Sequence, residues 1–255
     1  TKNSLQAVFR NVLKQARDQG VIATVPATPR QRTEDRPRPF FQFHPLVQKN
    51  QDTYKQLLKA SEELPTTNRT VRGVPITDEL YDLILFLVHT FVRPTTTELY
   101  ALRHKDIQEA QEPRRLLVTI AKGKTGFRVA NSMPAAVTVY GRIKKRFPNW
   151  RPDDFLFLPS YLNRQTAARI VARQFNAVLE YAGIKQDPHS GQPHSLYSLR
   201  HTAICMRLVL SEGKVNIFNL AKNCGTSVQQ IERFYAAKLP LSAELARNLQ
   251  AFADG

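Results

Sequence analysis

Apolar residues recur at helical intervals at the start of the chain and again after residue 77. Residues 4–19 carry an apolar stripe on one helical face, and Gly20 follows at the position of a C-terminal cap. The second stripe begins after Thr77, which precedes two acidic residues suited to the positive first turn of a helix. The pattern predicts two helices, with apolar faces formed by Leu5, Val8, Phe9, Val12 and Leu13 and by Leu80, Leu83, Ile84, Leu87 and Val88.

A strand pattern replaces the helical one in the middle of the chain. Residues 116–121 and 127–133 are rich in β-forming side chains, and a basic, glycine-containing turn at 122–126 separates them. We therefore expect a β-hairpin, with a third strand over Phe155–Leu158. Further helices are predicted at about 95–103, 163–182, 198–211, 215–223, 227–236 and 242–252. The predicted fold class is α+β, a mostly helical domain with a small antiparallel β-sheet at one edge.

Residues 25–40 interrupt these patterns. This stretch holds four prolines and four arginines with few apolar residues, a composition typical of linkers. We expect residues 1–24 to be the end of one domain, residues 25–40 to be a linker, and residues 41–255 to be the main domain.

The charge of the chain indicates a polyanionic partner. Lys and Arg number 37 against 21 Asp and Glu, giving a formal net charge of +16. Nucleic acid is the first partner to consider, although a ribosome or an anionic lipid surface would also attract such a chain. Basic segments such as Arg142–Arg146 and Arg69–Arg72 are expected to follow a DNA backbone or to be solvated.

Other function classes find little support in the sequence. The longest apolar run, Leu83–Val92, is far shorter than the roughly 20 residues of a membrane-spanning helix, so we expect no membrane partner. Cys205 and Cys224 form no C-x-x-C pair, which speaks against a disulfide framework and a zinc site. A reducing cytoplasm fits this cysteine usage.

Three segments in a fixed order resemble the tyrosine recombinase and phage integrase family. They are FVRPTTTELYALRHKDI at 91–107, YSLRHT at 197–202 and LAKNCGTSVQQIERFY at 220–235. The resemblance covers about residues 75–250. It implies that residues 41–255 form the catalytic domain and that residues 1–24 are the terminal helix of a truncated core-binding domain.

The first segment contains the candidate for the family's first catalytic arginine. That arginine precedes the pattern E-L-x-x-L-R/K-x-x-D-I, and Arg93 is the matching residue here. Arg93 stands five residues before Glu98, where the usual spacing is three, so the local path differs from that of the family. An arginine that merely precedes a proline-started helix is the alternative. The pattern is matched by Glu98, Leu99, Leu102, Arg103, Asp106 and Ile107.

The hairpin turn resembles the position of the family's catalytic lysine. Lys124, Thr125 and Gly126, followed by Arg128, match the family's turn motif, so the resemblance assigns Lys124 as the proton donor. Lys122 is the alternative. Both lysines also fit an exposed turn in which they are solvated or touch phosphate.

The second segment supplies Arg200 as the second catalytic arginine. The family usually has H-x-x-R-H, and here Tyr197 stands in place of the first histidine. We expect Tyr197 to donate a hydrogen bond in the active site, with an ordinary core tyrosine as the alternative. His194 lies too far upstream to replace that histidine, and His201 is interpreted as a packed residue that lines the helix.

The third segment ends at Tyr235, the candidate nucleophile. Counting back nine residues from it, where the family has His or Trp, gives Thr226. Thr226 is expected to donate a hydrogen bond, and it also begins a T-x-x-Q capping box with Gln229. A tyrosine packed in the core is the alternative for Tyr235.

The resemblance implies an enzyme that cuts and rejoins double-stranded DNA through a 3′-phosphotyrosyl intermediate, as in site-specific recombination or integration. It implies no metal, ATP or nucleotide cofactor, a homotetramer on paired DNA sites, and a prokaryotic, nucleoid-associated protein. Two alternatives stay open: a DNA-binding protein of the same fold that has lost its chemistry, and a relaxing enzyme similar to type IB topoisomerases. Arg93 and Arg200 suit the task of holding a phosphate, because each guanidinium is a permanently charged, planar fork of donors.

Overall fold

The computed structural model of the chain describes residues 2–27, 38–236 and 239. The chain divides into two compact units, Thr1–Arg36 and Pro37–Gly255. The first contains helix α1 (Lys2–Asp18), after which Gly20 adopts a φ of 74°. The predicted apolar stripe is present on α1, but four of its residues are more than half exposed: Leu5, Val8, Phe9 and Val12.

Helices are the main regular structure in the described part of the second unit. None of the helices in the described residues is long and apolar enough to span a membrane. A two-stranded antiparallel pair, β1 (Thr70–Val71) and β2 (Val74–Pro75), precedes the central helix. The helices are α2 (Thr53–Glu63), α3 (Asp78–Thr90), α4 (Ala135–Arg146), α5 (Arg164–Tyr181), α6 (Leu196–Leu210), α7 (Ile217–Cys224) and α8 (Val228–Phe234).

Helix α3 is the centre of the core because it is apolar on nearly every side. It contacts α2, α4, α5 and α6, and Leu83, Ile84, Phe86 and Leu87 are fully buried. Thr77 stands at its N-cap position, but the Thr77 side chain makes no capping hydrogen bond.

The basic segment of helix α4 has a structural role in this fold. Arg142 donates to the buried carboxylate of Asp82 with an Nε–Oδ1 distance of 2.6 Å, and Arg146 donates to the other oxygen of Asp82. Lys144 pairs with Glu109 at 2.7 Å. Arg142 and Arg146 share the single carboxylate of Asp82, so these three side chains are engaged within the fold, while the expectation that the segment follows a DNA backbone stays a prediction. Lys145 is exposed.

A three-stranded antiparallel sheet carries the predicted hairpin. Its order is β3 (Ile107–Gln111), β4 (Arg114–Gly123) and β5 (Gly126–Asn131). Alternate residues of β4 are buried, as expected for a sheet with one face on the core. The sheet and the dominance of helices confirm the predicted α+β class. The strand predicted at 155–158 is wrong, because Phe155 forms only an isolated bridge with Arg103.

Helices α5 to α8 confirm the helices predicted in the C-terminal half, with bounds shifted by a few residues. The helix predicted at 95–103 is wrong, since only a 3₁₀ turn, Leu99–Ala101, forms there. Thr95 explains the difference: its side-chain oxygen accepts from the Glu98 N–H at 3.2 Å, and its own N–H donates to the Arg93 carbonyl at 2.8 Å. Such local bonds compete with helical ones. The helix predicted at 242–252 lies outside the described residues.

Candidate active site

Tyr235 lies at the C-terminal end of helix α8, where its N–H donates to the Ile231 carbonyl at 2.9 Å. Its side chain is partly buried, and its ring lies against that of His201, with centroids 4.3 Å apart. The position of Tyr235 is thus fixed both by the helix and by a packed neighbour on α6.

The start of helix α8 differs from the predicted capping box. Ser227, and not Thr226, is the N-cap residue, and its hydroxyl accepts from the Gln230 N–H at 3.2 Å. The N–H of Thr226 instead donates to the Ala221 carbonyl at 2.9 Å and closes the end of α7. The capping role expected for Thr226 is therefore wrong, while its partly exposed hydroxyl stays available for another partner.

Arg200 is almost fully buried on helix α6, at 1% exposure. Its guanidinium donates to the carbonyl of Phe91, at the end of α3, and to the carbonyl of Cys224, at the end of α7. The backbone of Phe91 is in the left-handed region, with a φ of 58°, a conformation that few residues other than glycine adopt. Arg200 therefore ties the C-terminal ends of α3 and α7 to helix α6 beside Tyr235.

Arg93 extends the same cluster through Glu98, whose side chain is buried. Arg93 donates from Nη1 to Glu98 Oε1 at 2.6 Å and from its backbone N–H to Oε2 at 3.1 Å. Its other terminal nitrogen donates to the carbonyl of Gly225. Arg93 is itself only 7% exposed. The unusual spacing between Arg93 and Glu98 thus still brings the two side chains into direct contact.

Glu98 also binds an arginine of the hairpin. Arg128 donates from Nη2 to Glu98 Oε2 at 2.7 Å and from Nη1 to Oε1 at 3.1 Å. One carboxylate therefore holds two guanidinium groups in place, which leaves a net positive charge, and Arg200 adds a further positive charge to the cluster. A cluster of this kind attracts an anion such as a phosphodiester.

Two glycines allow the hairpin to approach this cluster. A Cβ at Gly123 would lie 2.9 Å from Glu98 Oε1 and 3.0 Å from Arg128 Nη1. A Cβ at Gly225 would lie 2.9 Å from both Thr125 Oγ1 and Arg128 Nη1. The absence of side chains at Gly123 and Gly225 is thus what permits this close packing.

A pair of asparagines fastens the hairpin to helix α7. The N–H of Asn131 donates to Asn223 Oδ1 at 2.7 Å, and Asn223 Nδ2 donates back to the Asn131 carbonyl at 3.0 Å. We name this reciprocal pair the Asn131–Asn223 clasp. Beside it lies a cleft of about 610 Å³ whose lining includes Thr125, Arg128, Lys222, Gly225 and Thr226.

The two candidate lysines flank Gly123, the glycine that packs against Glu98 and Arg128. Lys122 is the second-last residue of strand β4, which ends at Gly123, and Lys124 stands in the two-residue turn that follows. Both side chains are exposed, and neither ammonium group has a hydrogen bond or ion pair with a described residue. The structure leaves the choice between Lys122 and Lys124 open.

Tyr197 lies one turn before Arg200 on helix α6 and is partly buried. The Arg38 guanidinium carbon stands 4.6 Å from the centroid of its ring. His194 is packed in the core, where it stacks on Phe41 at 4.2 Å and its Nδ1 lies 2.9 Å from the Ile184 carbonyl oxygen. His194 therefore does not take the place of Tyr197.

The pKa values of three groups at the cluster shift in opposite directions: that of Glu98 is lowered, and those of Tyr235 and Cys224 are raised. Burial raises the pKa of Glu98, but the hydrogen bonds and charge of Arg128 and the hydrogen bonds of Arg93 outweigh it and lower the pKa to about 2. Burial raises the pKa of Tyr235, although the charge and hydrogen bond of Arg200 act in the opposite direction. The arginines therefore do not by themselves ionise Tyr235. Burial also raises the pKa of Cys224 to about 11, which keeps this thiol neutral.

Sequence reasoning anticipated the arginines and Tyr235 but missed two contributors. The pairing of Glu98 with Arg128 joins residues 30 positions apart, although both belong to the matched motifs. Arg38 carried no signal of its own, since it is one of four arginines in the stretch interpreted as a linker.

No protein-family model and no curated protein matches the sequence. Among solved structures, the chain is similar to XerA recombinase with a TM-score of 0.53 and 18% identity, covering 98% of this chain and 75% of that one. It is also similar to the Tn1549 transposon integrase in complex with circular intermediate DNA. That match has a TM-score of 0.59 and 16% identity and covers 98% of this chain and 78% of the integrase. At these identities the likeness shows the fold alone.

Proposed function

We propose that this chain, which has the fold of the tyrosine recombinases, cuts and rejoins double-stranded DNA with Tyr235 as the nucleophile. The observation that carries the proposal is the position of Tyr235 beside Arg200, in a cluster that also holds Arg93 and has a net positive charge. A tyrosine that merely filled the core would need no such surroundings. The net charge of +16 further supports DNA as the partner.

Arg93 and Arg200 hold the nonbridging oxygens of the phosphate in the proposed reaction. Their guanidinium groups carry more N–H donors than the protein carbonyls and Glu98 use, so donors remain for a phosphate. Both are fixed by the fold before DNA binds, and fixed donors cost little reorganisation as charge develops in the transition state.

The covalent step joins the Tyr235 oxygen to phosphorus and breaks the bond to the 5′ oxygen. The phenol must lose its proton first or during the attack, because burial favours its neutral form. The charge of the bound phosphate is balanced by the two arginines, and a nearby group or water accepts the phenolic proton. The product is a 3′-phosphotyrosyl ester, which stores the bond energy without ATP or a metal ion.

The leaving 5′ oxygen takes a proton from a hairpin lysine, Lys124 in our assignment or Lys122 as the alternative. Both lysines are exposed and flank Gly123, the glycine at which the hairpin packs against Glu98 and Arg128, so either ammonium could serve as the general acid. Tyr197 and Thr226 are proposed to donate hydrogen bonds to the phosphate. Attack by the 5′ hydroxyl of another strand then reverses the step and completes exchange.

Four copies are proposed to assemble on two DNA sites. Residues 241–255 lie outside the described residues, but in the sequence Leu241, Leu245, Leu249 and Phe252 repeat at helical intervals, a pattern that predicts an apolar helix face. We propose that this segment docks on a neighbouring copy, so that cleavage is coupled between protomers. A cytoplasmic, nucleoid-associated location is part of the same proposal.

Covalent capture tests the nucleophile. The intact protein is incubated with nicked duplexes from the DNA that flanks its gene, and the products are separated by denaturing electrophoresis. The wild type is expected to form a protein–DNA adduct and Tyr235→Phe to form none. Tyr181→Phe, which alters an exposed tyrosine of helix α5, is the matched control and should behave as the wild type.

The same assay separates the alternatives. An adduct that persists in Tyr235→Phe contradicts the assignment of the nucleophile. DNA binding without any adduct in the wild type favours a protein that keeps the fold and has lost its chemistry. Relaxation of supercoiled DNA without site preference favours the topoisomerase alternative.

A further inference from the structure

Arg38 stands over the ring of Tyr197, and this contact leaves its N–H donors unused. The guanidinium carbon is 4.6 Å from the ring centroid, which is a cation–π contact. The side chain is exposed, and it has no hydrogen bond or ion pair with any described residue. Its N–H donors therefore remain available to an outside ligand.

The backbone that follows Arg38 is anchored to the helix that carries Arg200. The N–H of Phe41 donates to Thr202 Oγ1 at 2.9 Å, and Phe40 packs against Cys205. Phe40 and Phe41 are both buried. Arg38 is thus held close to α6 by its neighbours in the chain and not only by the Tyr197 ring.

The contact with Tyr197 places Arg38 on the same helix face as a residue of the candidate active site. Tyr197 and Arg200 are three residues apart on one helix, so their Cβ atoms lie roughly 5–6 Å from each other. Consecutive phosphates of one DNA strand are spaced by about 3.4 Å along the helix axis. A strand whose phosphate is bound by Arg93 and Arg200 therefore brings a neighbouring phosphate within reach of a long side chain at Arg38.

We propose that Arg38, supported by the Tyr197 ring, binds a DNA phosphate next to the one that Arg93 and Arg200 hold. The inference rests on the proposed function for the location of the DNA strand. The contact with the ring holds the guanidinium without using its N–H donors, which remain free to form two parallel bonds to phosphate oxygens. Arg38 is in this view a positioning residue, since it does not touch the reacting atoms.

Binding measurements in a Tyr235→Phe background test the contact without relying on cleavage. The probe is duplex DNA from the flank of the gene, and its dissociation constant is measured over a range of salt concentrations. Arg38→Ala is expected to weaken binding roughly tenfold at low salt and to reduce the slope of log K against log salt by about 1. Arg173→Ala, which removes an exposed arginine of helix α5, is the charge-matched control.

Duplexes in which one phosphate is replaced by an uncharged analogue show which phosphate Arg38 contacts. In duplexes with a single methylphosphonate, one position next to the scissile phosphate is expected to abolish the difference between Arg38→Ala and its parent. The Arg173→Ala variant should show no loss at that position. If no single position abolishes the effect of Arg38→Ala, its charge acts diffusely and the proposed contact is overturned.

Two variants of Tyr197 test the support by the ring. Tyr197→Phe keeps the ring face, so Arg38→Ala should cost as much in that background as in the parent. Tyr197→Leu removes the ring, and there Arg38→Ala should cost several-fold less. An equal cost in both backgrounds overturns the role of the ring.

The outcomes separate this inference from the proposed function. A wild-type protein that forms no adduct contradicts the cleavage reaction, but the binding experiments still report on Arg38. An active protein in which Arg38→Ala binds DNA with the parent's affinity and salt slope contradicts the role of Arg38 alone.

Discussion

Replacing Glu98 by Gln is expected to destabilise the protein at neutral pH, because this one carboxylate balances two buried guanidinium groups. The amide has nearly the same shape, but it carries no charge. Its NH₂ group would also face the donors of Arg93 or Arg128, which now bond to the two carboxylate oxygens at 2.6–3.1 Å. The variant therefore leaves two positive charges buried without their partner.

Two independent estimates of the effect agree. Removing one partner of a buried ion pair costs about 3–5 kcal/mol. Lowering the pKa of Glu98 from 4.5 to about 2 on folding corresponds to roughly 3 kcal/mol of stability at neutral pH. We therefore expect Glu98→Gln to lower the free energy of unfolding by about 3 kcal/mol.

The effect has a defined dependence on pH. A carboxylate whose pKa is lowered by folding stabilises the protein fully above its unfolded pKa, and this contribution is lost as the pH falls toward the folded value. The difference between wild type and Glu98→Gln should thus be largest above pH 4.5 and shrink as the pH falls toward about 2.

Urea unfolding at a series of pH values measures this difference. Glu63→Gln is the control, because Glu63 pairs with Lys59 on the surface at 3.6 Å and such pairs contribute about 0.5 kcal/mol. If Glu98→Gln changed the free energy of unfolding no more than Glu63→Gln, or by the same amount at every pH, the bridging role of Glu98 would be refuted.

Three further changes test other parts of the site. Arg93→Ala and Arg200→Ala should each slow adduct formation by a factor on the order of 10² to 10³ while affecting DNA binding less, as measured by single-turnover capture; a wild-type rate would show that the arginine is misassigned. Gly225→Ala forces a side chain into a residue with a φ of 61° and toward Thr125, so it should lower stability in thermal unfolding by about 1 kcal/mol or more. The control Gly141→Ala lies in helix α4 with open space around its Cβ and should be neutral or stabilising, so equal effects of the two changes would contradict the close packing. Deleting residues 241–255 should leave binding of one protomer to one site intact and abolish tetramers on paired sites in light scattering; unchanged tetramers would exclude docking by this segment.

Sequence predicted those parts of the fold that depend on local patterns. Helices α5 to α8 follow from apolar periodicity, and the hairpin follows from two β-rich runs around a glycine-containing turn. The segment at 95–103 was mispredicted because the bond between Thr95 and the Glu98 N–H replaces the first helical bonds. That competition depends on geometry that periodicity does not reveal.

The candidate site divides in the same way. The order of the sequence motifs identified Arg93, Arg200 and Tyr235 as candidates, and the structure brings these three together. The bridge from Glu98 to Arg128 was not predicted, because it depends on how closely the hairpin approaches the turn before Glu98. The paired charges of Arg142 and Arg146 were missed for a similar reason, since a buried partner such as Asp82 lies on another helix.

The Asn131–Asn223 clasp couples the end of strand β5 to helix α7 through two hydrogen bonds. Helix α7 continues through the tight turn at Gly225 into α8, which ends at Tyr235. A motion that withdraws Tyr235 by shifting α7 therefore pulls the hairpin and its lysines in the same direction. The proposed nucleophile and the proposed proton donor would therefore move together. A shift of α7 would place both in the active site or withdraw both from it.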